Sequence, residues 1–401
     1  HQTEYTSETY EAEEQGTDSR TAKAGDKVLL TGGENAFIAD FTSNQTEHAA
    51  FPFSIWNKTM RAVMNDYQEE MMINPPCGGV MELRKSISSY LKEFCAMYVR
   101  PEQIIIGAGT EYLYSILIQL LGRNVCYGVE NPGYPKIAKI YRSMGVKYEY
   151  IDLDEEGTSA KKLEEKKVDI MHISPSHHFP TGMVMPISKR YELLGWVTRE
   201  KERYIIEDDY DSELRLAGKP IPSLQSIDVS GKVIYINTFA KTLCSTVRIS
   251  YMVLPEALAE KYYRELSFYS CTVSNFEQYT LAAFMNAGAF EKHINRLRNY
   301  YQHKRDLILS TFLREPLGKY ITISEEDSGV HFLMHVNTSM SEQEFLLKTR
   351  AKGIRLATLS SFYNAEQKDS RYENTYVMNY SFVNCDRLEY VAQTLYKIIH
   401  P

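Results

Sequence analysis

The chain has 401 residues, of which 43% are hydrophobic and 12% aromatic, so it is long enough to form two subdomains around substantial cores. Its formal net charge of −7 excludes a protein that binds nucleic acid through an overall basic surface, so any contact with DNA would need a further domain. No apolar run approaches the roughly 20 residues of a membrane span, and the N-terminus lacks a basic-then-apolar signal pattern, so we expect a cytoplasmic protein without a membrane partner.

The cysteines lack the paired spacing that is typical of disulfide frameworks or metal sites. Several of them lie inside apolar stretches, which predicts buried free thiols in a reducing compartment and no metal. The six are Cys77, Cys95, Cys126, Cys244, Cys271 and Cys385.

The first 27 residues are polar, rich in glutamate, serine and threonine, and lack apolar periodicity. They predict a tail or a linker. The chain begins at His1 without a methionine, which we interpret as a linker severed from an upstream domain.

Short apolar runs alternate with amphipathic stretches between residues 103 and 254, which predicts a mostly parallel sheet covered by helices on both faces. Such sheets bind ligands at the carboxyl ends of their strands. We therefore predict an α/β fold with a large ligand-binding subdomain at residues 76–289. The predicted strands are 103–107, 146–151, 168–173, 203–206, 232–236 and 249–254.

Beyond Pro255 the pattern becomes helical, and residues 290–313 have the apolar spacing of a long connecting helix. Strand-like runs return at 330–334 and 376–380, before a last amphipathic helix near Leu388 to Ile399. This order predicts a smaller α+β subdomain, formed by residues 28–75 and 290–401.

A glycine-rich turn, Gly107-Ala-Gly-Thr-Glu111, follows the first of these strands and opens an apolar helix at Tyr112. Backbone N–H groups at a helix N-terminus suit a phosphate, although a capped helix start without any ligand has the same sequence. In Asn131-Pro-Gly-Tyr-Pro135 the glycine and prolines fix a tight turn that can press the Tyr134 ring against an aromatic cofactor, or simply pack it.

The acidic run 205–213 begins in a predicted strand and continues past its end. A buried carboxylate against a pyridine nitrogen keeps that nitrogen protonated, and Tyr210 can donate to a phenolic oxygen of the same ring. Taken alone, the run is also typical of a solvated acidic loop that caps a helix.

A lysine, Lys241, lies just beyond the predicted strand 232–236, with Thr238 before it and Arg248 after it. Its amine can condense with an aldehyde, while the hydroxyl and the guanidinium can bind a phosphate dianion. An isolated lysine after a strand is more often a solvated surface residue.

The motifs Ser174-Pro-Ser-His-His-Phe-Pro-Thr-Gly182, the acidic run and Thr-Phe-Ala-Lys241 occur in an order that resembles fold-type I aminotransferases. More closely, residues 35–400 resemble the effector domains of MocR-type regulators in the GntR superfamily. Asp40-Phe41, Phe51-Pro52 and Trp56 resemble that subfamily's domain entry, and the stretch 293–298 resembles its connecting helix.

The resemblance implies a fold-type I aminotransferase-like architecture that binds pyridoxal 5'-phosphate as a Schiff base on Lys241. Asp208 would pair with the pyridine nitrogen, Tyr210 would donate to the phenolic oxygen, and Tyr134 would stack on the ring. The phosphate would be held by Gly109, Thr110, Thr238 and Arg248.

The sequence departs from the family pattern at three places, and the second of them concerns the substrate. Phe179 stands where aminotransferases carry an asparagine that touches the phenolic oxygen of the cofactor, and His177 or His178 is the candidate substitute. Val377 replaces the arginine that orients a substrate carboxylate, and Phe382 stands where some regulators have another arginine, which leaves Arg355 or Arg371 as candidates. The stretch 74–78 lacks the tyrosine that relatives extend across a dimer interface, so a homodimer is implied by the resemblance alone.

Two functions remain open. The first is the effector-sensing domain of a MocR-type transcription regulator that binds an amino acid, an amine or a related small molecule, with DNA binding left to an N-terminal winged helix that this chain lacks. The second is a pyridoxal-phosphate-dependent aminotransferase in which Lys241 moves the α-proton. The missing carboxylate arginine favours the first, with transaminase activity weak.

Overall fold

The computed structural model describes residues 37–43, 45–218, 221–364 and 372–400. The tail predicted at residues 1–27 lies outside these ranges, as does Arg371. The helices are α1 Phe53–Asp66, α2 Gln68–Met71, α3 Met81–Cys95, α4 Thr110–Leu121, α5 Pro135–Ser143, α6 Ala160–Glu165, α7 Ile187–Val197, α8 Leu224–Ile227, α9 Glu256–Glu265, α10 Asn275–Asn286, α11 Ala289–Phe312, α12 Glu342–Ala351 and α13 Leu388–Ile399. The strands are β1 Ala39–Asp40, β2 Ile104–Ala108, β3 Cys126–Asn131, β4 Lys147–Asp152, β5 Ile170–Ile173, β6 Tyr204–Asp208, β7 Val233–Thr238, β8 Ile249–Val253, β9 Ile321–Ser324, β10 His331–Val336, β11 Ile354–Arg355, β12 Ala357–Thr358 and β13 Thr375–Asn379.

The central sheet has seven strands in the order β2-β8-β7-β6-β5-β3-β4. Strands β3 to β7 pair in parallel, while β8 pairs antiparallel with both of its neighbours, β7 and β2. The inner strands are continuous apolar runs because helices cover both faces of the sheet, and every residue of β5 and β8 is buried. The predicted α/β fold with a mostly parallel sheet is confirmed.

The C-terminal part of the chain forms a second, antiparallel sheet in the order β12-β13-β10-β9. Its core includes Phe332, Tyr376 and Leu395, together with Tyr301 and Phe312 from the long helix α11. Strand β1 pairs in parallel with β11, which ties the residues before α1 to this part of the chain. The subdomain boundaries predicted near residues 75 and 290 stay a prediction.

The structure corrects three local predictions. Strand β3 was not among the predicted strands, and α4 begins at Thr110 with Gly109 as its N-cap, two residues before the predicted start at Tyr112. The six cysteines are all free, but only Cys126 and Cys271 are fully buried and the other four are partly buried.

No helix in the described ranges is both long and apolar enough to cross a membrane. The same residues contain no cluster of histidine, cysteine and carboxylate side chains that could hold a metal ion.

A fully buried arginine, Arg190 on α7, anchors the loop between β5 and α7. Its guanidinium donates to the carbonyl oxygens of Pro222 at 2.8 Å, Pro175 at 2.8 Å and Met185 at 3.1 Å. The Glu207 carboxylate lies 3.8 Å away, and both side chains have no exposed surface. The loop that follows β5 therefore owes its position to a buried charge with several partners.

We predict that Arg190→Met lowers the free energy of unfolding by about 3–5 kcal/mol, because it removes three hydrogen bonds and leaves the buried Glu207 without its neighbouring cation. The matched control is Arg199→Met on a side chain that is 63% exposed, which we expect to change stability by no more than about 0.5 kcal/mol. The measurement is urea unfolding followed by circular dichroism. Equal changes for the two variants would contradict the role given to Arg190.

Candidate functional site

A pocket opens where β3, β5, β6 and β7 reach their carboxyl ends, the edge at which a parallel sheet binds ligands. Most of the residues singled out in the sequence meet there although they come from different motifs. Those that line the pocket are Thr110, Tyr134, Asp208, Tyr210, Thr238 and Lys241. The two others, Gly109 and Arg248, lie beside Thr110 at the start of α4.

Asp208 is the last residue of β6, and aromatic side chains hold its carboxylate in place. The Tyr114 hydroxyl donates to Asp208 Oδ2 at 2.5 Å. The Nε2 atom of His172 lies 3.6 Å from the same oxygen, and Tyr141 contacts the other nitrogen of His172 at 2.8 Å. The buried Oδ1 atom of Asp208 has no hydrogen-bond partner among the described residues. One carboxylate oxygen is therefore fixed, and the other is left for a donor in the pocket.

Lys241 follows the end of β7 by three residues, and its side chain lines the pocket. Burial lowers the pKa of its ammonium below the ordinary 10.5, and the negative charge of Asp211, which also lines the pocket, opposes this shift. A lysine with a lowered pKa has more of the neutral amine that attacks a carbonyl carbon.

The start of α4 is closely packed around Gly109. Gly109 has φ +91°, and a Cβ atom there would lie 2.1 Å from Arg248 Nη2, so only glycine lets the guanidinium approach this backbone. Arg248 donates to Glu111 at 2.7 Å, and Lys136 contacts the same carboxylate. Burial by itself raises the pKa of Glu111, but the bonds from Lys136 and Arg248 lower it to about 2.

Aromatic side chains form the wall of the pocket that faces the C-terminal sheet. The Phe179 ring makes edge contacts with Tyr134 at 5.9 Å and with Phe362 at 5.1 Å, measured between centroids. Behind these rings lie Leu333, Leu359 and Val377, all buried. This wall is apolar where a carboxylate-binding site would need a cation.

The two histidines proposed as substitutes for the family's asparagine do not line the pocket. His177 Nδ1 lies 2.9 Å from Asp211 and 3.3 Å from the Tyr210 hydroxyl, so it contacts the pocket through these two residues. His178 pairs instead with Thr181 at 2.7 Å and lies 3.4 Å from Glu130.

Of the two arginines considered for a substrate carboxylate, the structure describes Arg355, which does not line the pocket. Arg355 is half exposed and lies 3.4 Å from Asp40, away from the residues that line the pocket. Val377 is buried behind the aromatic wall, and Phe382 is 45% exposed. Among the described lining residues, Lys241 is the one lysine or arginine.

Sequence reasoning missed several lining residues that carry polar groups, among them Tyr114, Glu130, His172 and His331. Tyr114 had a usable signal, since it lies four residues after Thr110 and so shares its face of α4. His172 and His331 were read as parts of strands, and Glu130 lies in β3, which was not predicted. Burial raises the pKa of Glu130 to about 8, which leaves this carboxyl largely uncharged at neutral pH.

Comparison with known proteins identifies the family of the chain. Residues 38–371 match the family model described as aminotransferase class I and II. The chain is 39% identical over 330 residues to YdeL of Bacillus subtilis, an HTH-type transcriptional regulator, covering 82% of this chain and 71% of the relative. It is 30% identical to a probable rhizopine catabolism regulatory protein, MocR of Rhizobium meliloti, covering 80% of this chain and 65% of that protein.

Solved structures share the fold at lower sequence identity. One of them is the α-aminoadipate aminotransferase LysN of Thermus thermophilus, complexed with N-(5'-phosphopyridoxyl)-L-leucine. It superposes with a TM-score of 0.74 at 20% identity, covering 91% of this chain and 92% of the other. At this identity the likeness concerns the fold.

Proposed function

The chain belongs to the aminotransferase class I and II family, alongside transcription regulators of the MocR type, and we propose that it is the effector-sensing domain of such a regulator, with pyridoxal phosphate attached to Lys241. The observation that carries the proposal is the buried Oδ1 atom of Asp208 in a pocket that also presents the amine of Lys241. A lone buried carboxylate oxygen costs free energy unless a donor satisfies it. The protonated nitrogen of a pyridine ring is a donor of the right charge.

The remaining residues present fit the other parts of this cofactor. The N–H groups at the start of α4, with Thr238 and Arg248, would hold the phosphate, and the absence of a side chain at Gly109 leaves space for the guanidinium there. Tyr210 would donate to the phenolic oxygen, and Tyr134 would pack on the ring. Pyridoxal phosphate supplies an aldehyde that condenses with amines and a ring that withdraws electrons.

The chain's own groups prepare Lys241 and Asp208 for these roles. Burial lowers the pKa of Lys241, so a larger share of its amine is neutral near pH 7, and Asp211 keeps that share from rising further. Tyr114 fixes the orientation of the Asp208 carboxylate through one oxygen. The buried His172 and Tyr141 side chains lie next to this pair.

Two observations support the proposal that the chain is part of a transcription regulator: the names of its relatives and the apolar side chains around Val377. Proteins at 39% and 30% identity carry the names of transcription regulators, whereas similarity to aminotransferases is more distant. Val377, which stands at the position of the family's carboxylate arginine, is buried behind Phe179 and Phe362. A site without that clamp orients amino acids poorly for turnover, and the aminotransferase alternative is not favoured.

The partners in this proposal are a small-molecule effector and a second copy of the chain in a homodimer. DNA would be bound by a separate winged-helix domain, which is consistent with the net charge of −7. A cytoplasmic location belongs to the same proposal.

We predict that the chain incubated with pyridoxal phosphate and reduced with borohydride carries one covalent adduct, located on Lys241 by peptide mass spectrometry. Lys241→Ala should carry none and should lose the absorption band at the edge of the visible range, while its circular dichroism stays unchanged. Lys161→Ala, on an 84% exposed side chain, is the matched control and should keep the adduct. An adduct of equal stoichiometry in Lys241→Ala would overturn the assignment.

We predict that Asp208→Asn weakens pyridoxal phosphate binding by about tenfold or more, since a charge-assisted hydrogen bond contributes roughly 1.5–3 kcal/mol. The matched control is Asp209→Asn, because the neighbouring Asp209 accepts from Tyr235 at 2.7 Å and Ser212 at 2.8 Å and does not line the pocket. Its affinity should stay within about threefold of wild type. Fluorescence titration measures both, and the reverse ranking would move the cofactor contact to Asp209.

We predict that the cofactor-loaded chain turns over common L-amino acids with α-ketoglutarate or pyruvate more slowly than about one per second, because no described lining residue can clamp the α-carboxylate. Formation of the new keto acid, followed by chromatography, is the measurement. Turnover at ordinary enzyme rates would favour the aminotransferase.

A further inference from the structure

One side of the pocket is formed by the rings of Phe179 and Phe362, which we call the aromatic wall, and three aliphatic side chains lie behind it: Leu333, Leu359 and Val377. Phe179 and Phe362 line the pocket with their rings perpendicular, 5.1 Å apart, and the three aliphatic side chains pack behind them with at most 5% of their surface exposed. Such a surface gains free energy from an apolar group and cannot satisfy a carboxylate.

Two hydrogen bonds connect the loop that carries Phe362 to the neighbouring turn of the pocket. Gly133 N–H donates to the carbonyl of Phe362 at 3.3 Å, and Asn364 N–H donates to the side chain of Asn131 at 2.9 Å. These bonds join the loop after β12 to the turn that carries Tyr134. The rings of Tyr134, Phe179 and Phe362 therefore form one continuous surface.

The charges around the pocket also disfavour an anionic ligand. Among the described residues that line it, Lys241 is the one lysine or arginine, and the proposed cofactor would occupy its amine, while Asp211 adds a carboxylate. His331 lines the pocket beside Phe179, but burial, with His177 and Lys241 close by, lowers its pKa well below 6.5. The imidazole is uncharged at neutral pH and provides no counter-ion for a carboxylate.

We propose that the ligand sensed by this pocket is a primary amine with an aryl or branched alkyl tail and no carboxylate. The amine end would lie at Lys241 and the tail against the aromatic wall. This inference rests on the proposed function, because it is the lysine-bound cofactor that makes a primary amine the recognised group.

The test compares ligands that differ only in the carboxylate, added to the chain loaded with pyridoxal phosphate. The pairs are 2-phenylethylamine with L-phenylalanine and 3-methylbutylamine with L-leucine, and binding is measured by calorimetry and by the change in cofactor absorption. We expect each amine to bind at least about tenfold more tightly than its amino acid. Equal or tighter binding of the amino acids, or no binding of either amine, would overturn the inference.

Two variants on different loops test the wall itself. Phe179→Ala and Phe362→Ala should each weaken 2-phenylethylamine about tenfold or more and leave ethylamine within about twofold, because ethylamine lacks the tail that reaches the rings. The matched control is Phe268→Ala, on a ring that is 74% exposed and outside the pocket, which should change neither affinity. An equal loss for both amines in the two wall variants would contradict a role in tail recognition.

The outcomes separate this inference from the proposed function. If pyridoxal phosphate does not attach to Lys241 in the reduction experiment, both fail before any amine is added. If it attaches and amino acids bind as well as amines, the proposed function stands and the assignment of the ligand class fails.

Discussion

Neighbouring parallel strands that end at one edge of the central sheet are the constraint on which the site depends. Because β3, β5, β6 and β7 run in the same direction, the residues that follow them meet although they come from separate motifs. Tyr134 follows β3, Asp208 ends β6 and Lys241 follows β7. An antiparallel arrangement of the same strands would send alternate motifs to opposite edges.

The acidic run after β6 shows how burial assigns different tasks to adjacent carboxylates. Glu207 caps the backbone N–H groups of Leu224 and Gln225 and lies near Arg190, while Asp209 accepts from Tyr235 and Ser212. Burial raises the pKa of both carboxyls, to about 7 for Glu207. Of these three neighbours, Asp208 alone lines the pocket and keeps an oxygen without a partner in the described structure.

The two ends of the pocket differ in a way that fits a sensor. The end at α4 has Arg248 and the N–H groups that suit a phosphate, and its chemistry follows the family pattern. At the other end the family pattern is lost, because Phe179 stands in place of the asparagine that touches the phenolic oxygen and Val377 in place of the arginine that binds a substrate carboxylate. A chain that keeps its cofactor groups and changes its ligand groups can still respond to a ligand without efficient turnover.

Much of the fold and of the candidate site could be predicted from the sequence. Apolar periodicity is local, so it located α13 at Leu388–Ile399 and most central strands to within two or three residues. The sequence placed Asp208, Tyr210, Thr238 and Lys241 just after predicted strands, and in the structure all four line one pocket. Their individual roles stay predictions.

Tertiary structure alone decided which groups support these residues. Tyr114 donates to Asp208 across 94 positions of the chain, and Phe179 meets Phe362 from a different loop. Such contacts depend on how helices and loops pack over the sheet, and no local pattern records them. The sequence by itself determined most of the central strands, the motifs that meet in the pocket and the loss of the carboxylate arginine, whereas packing decided that buried apolar side chains surround Val377.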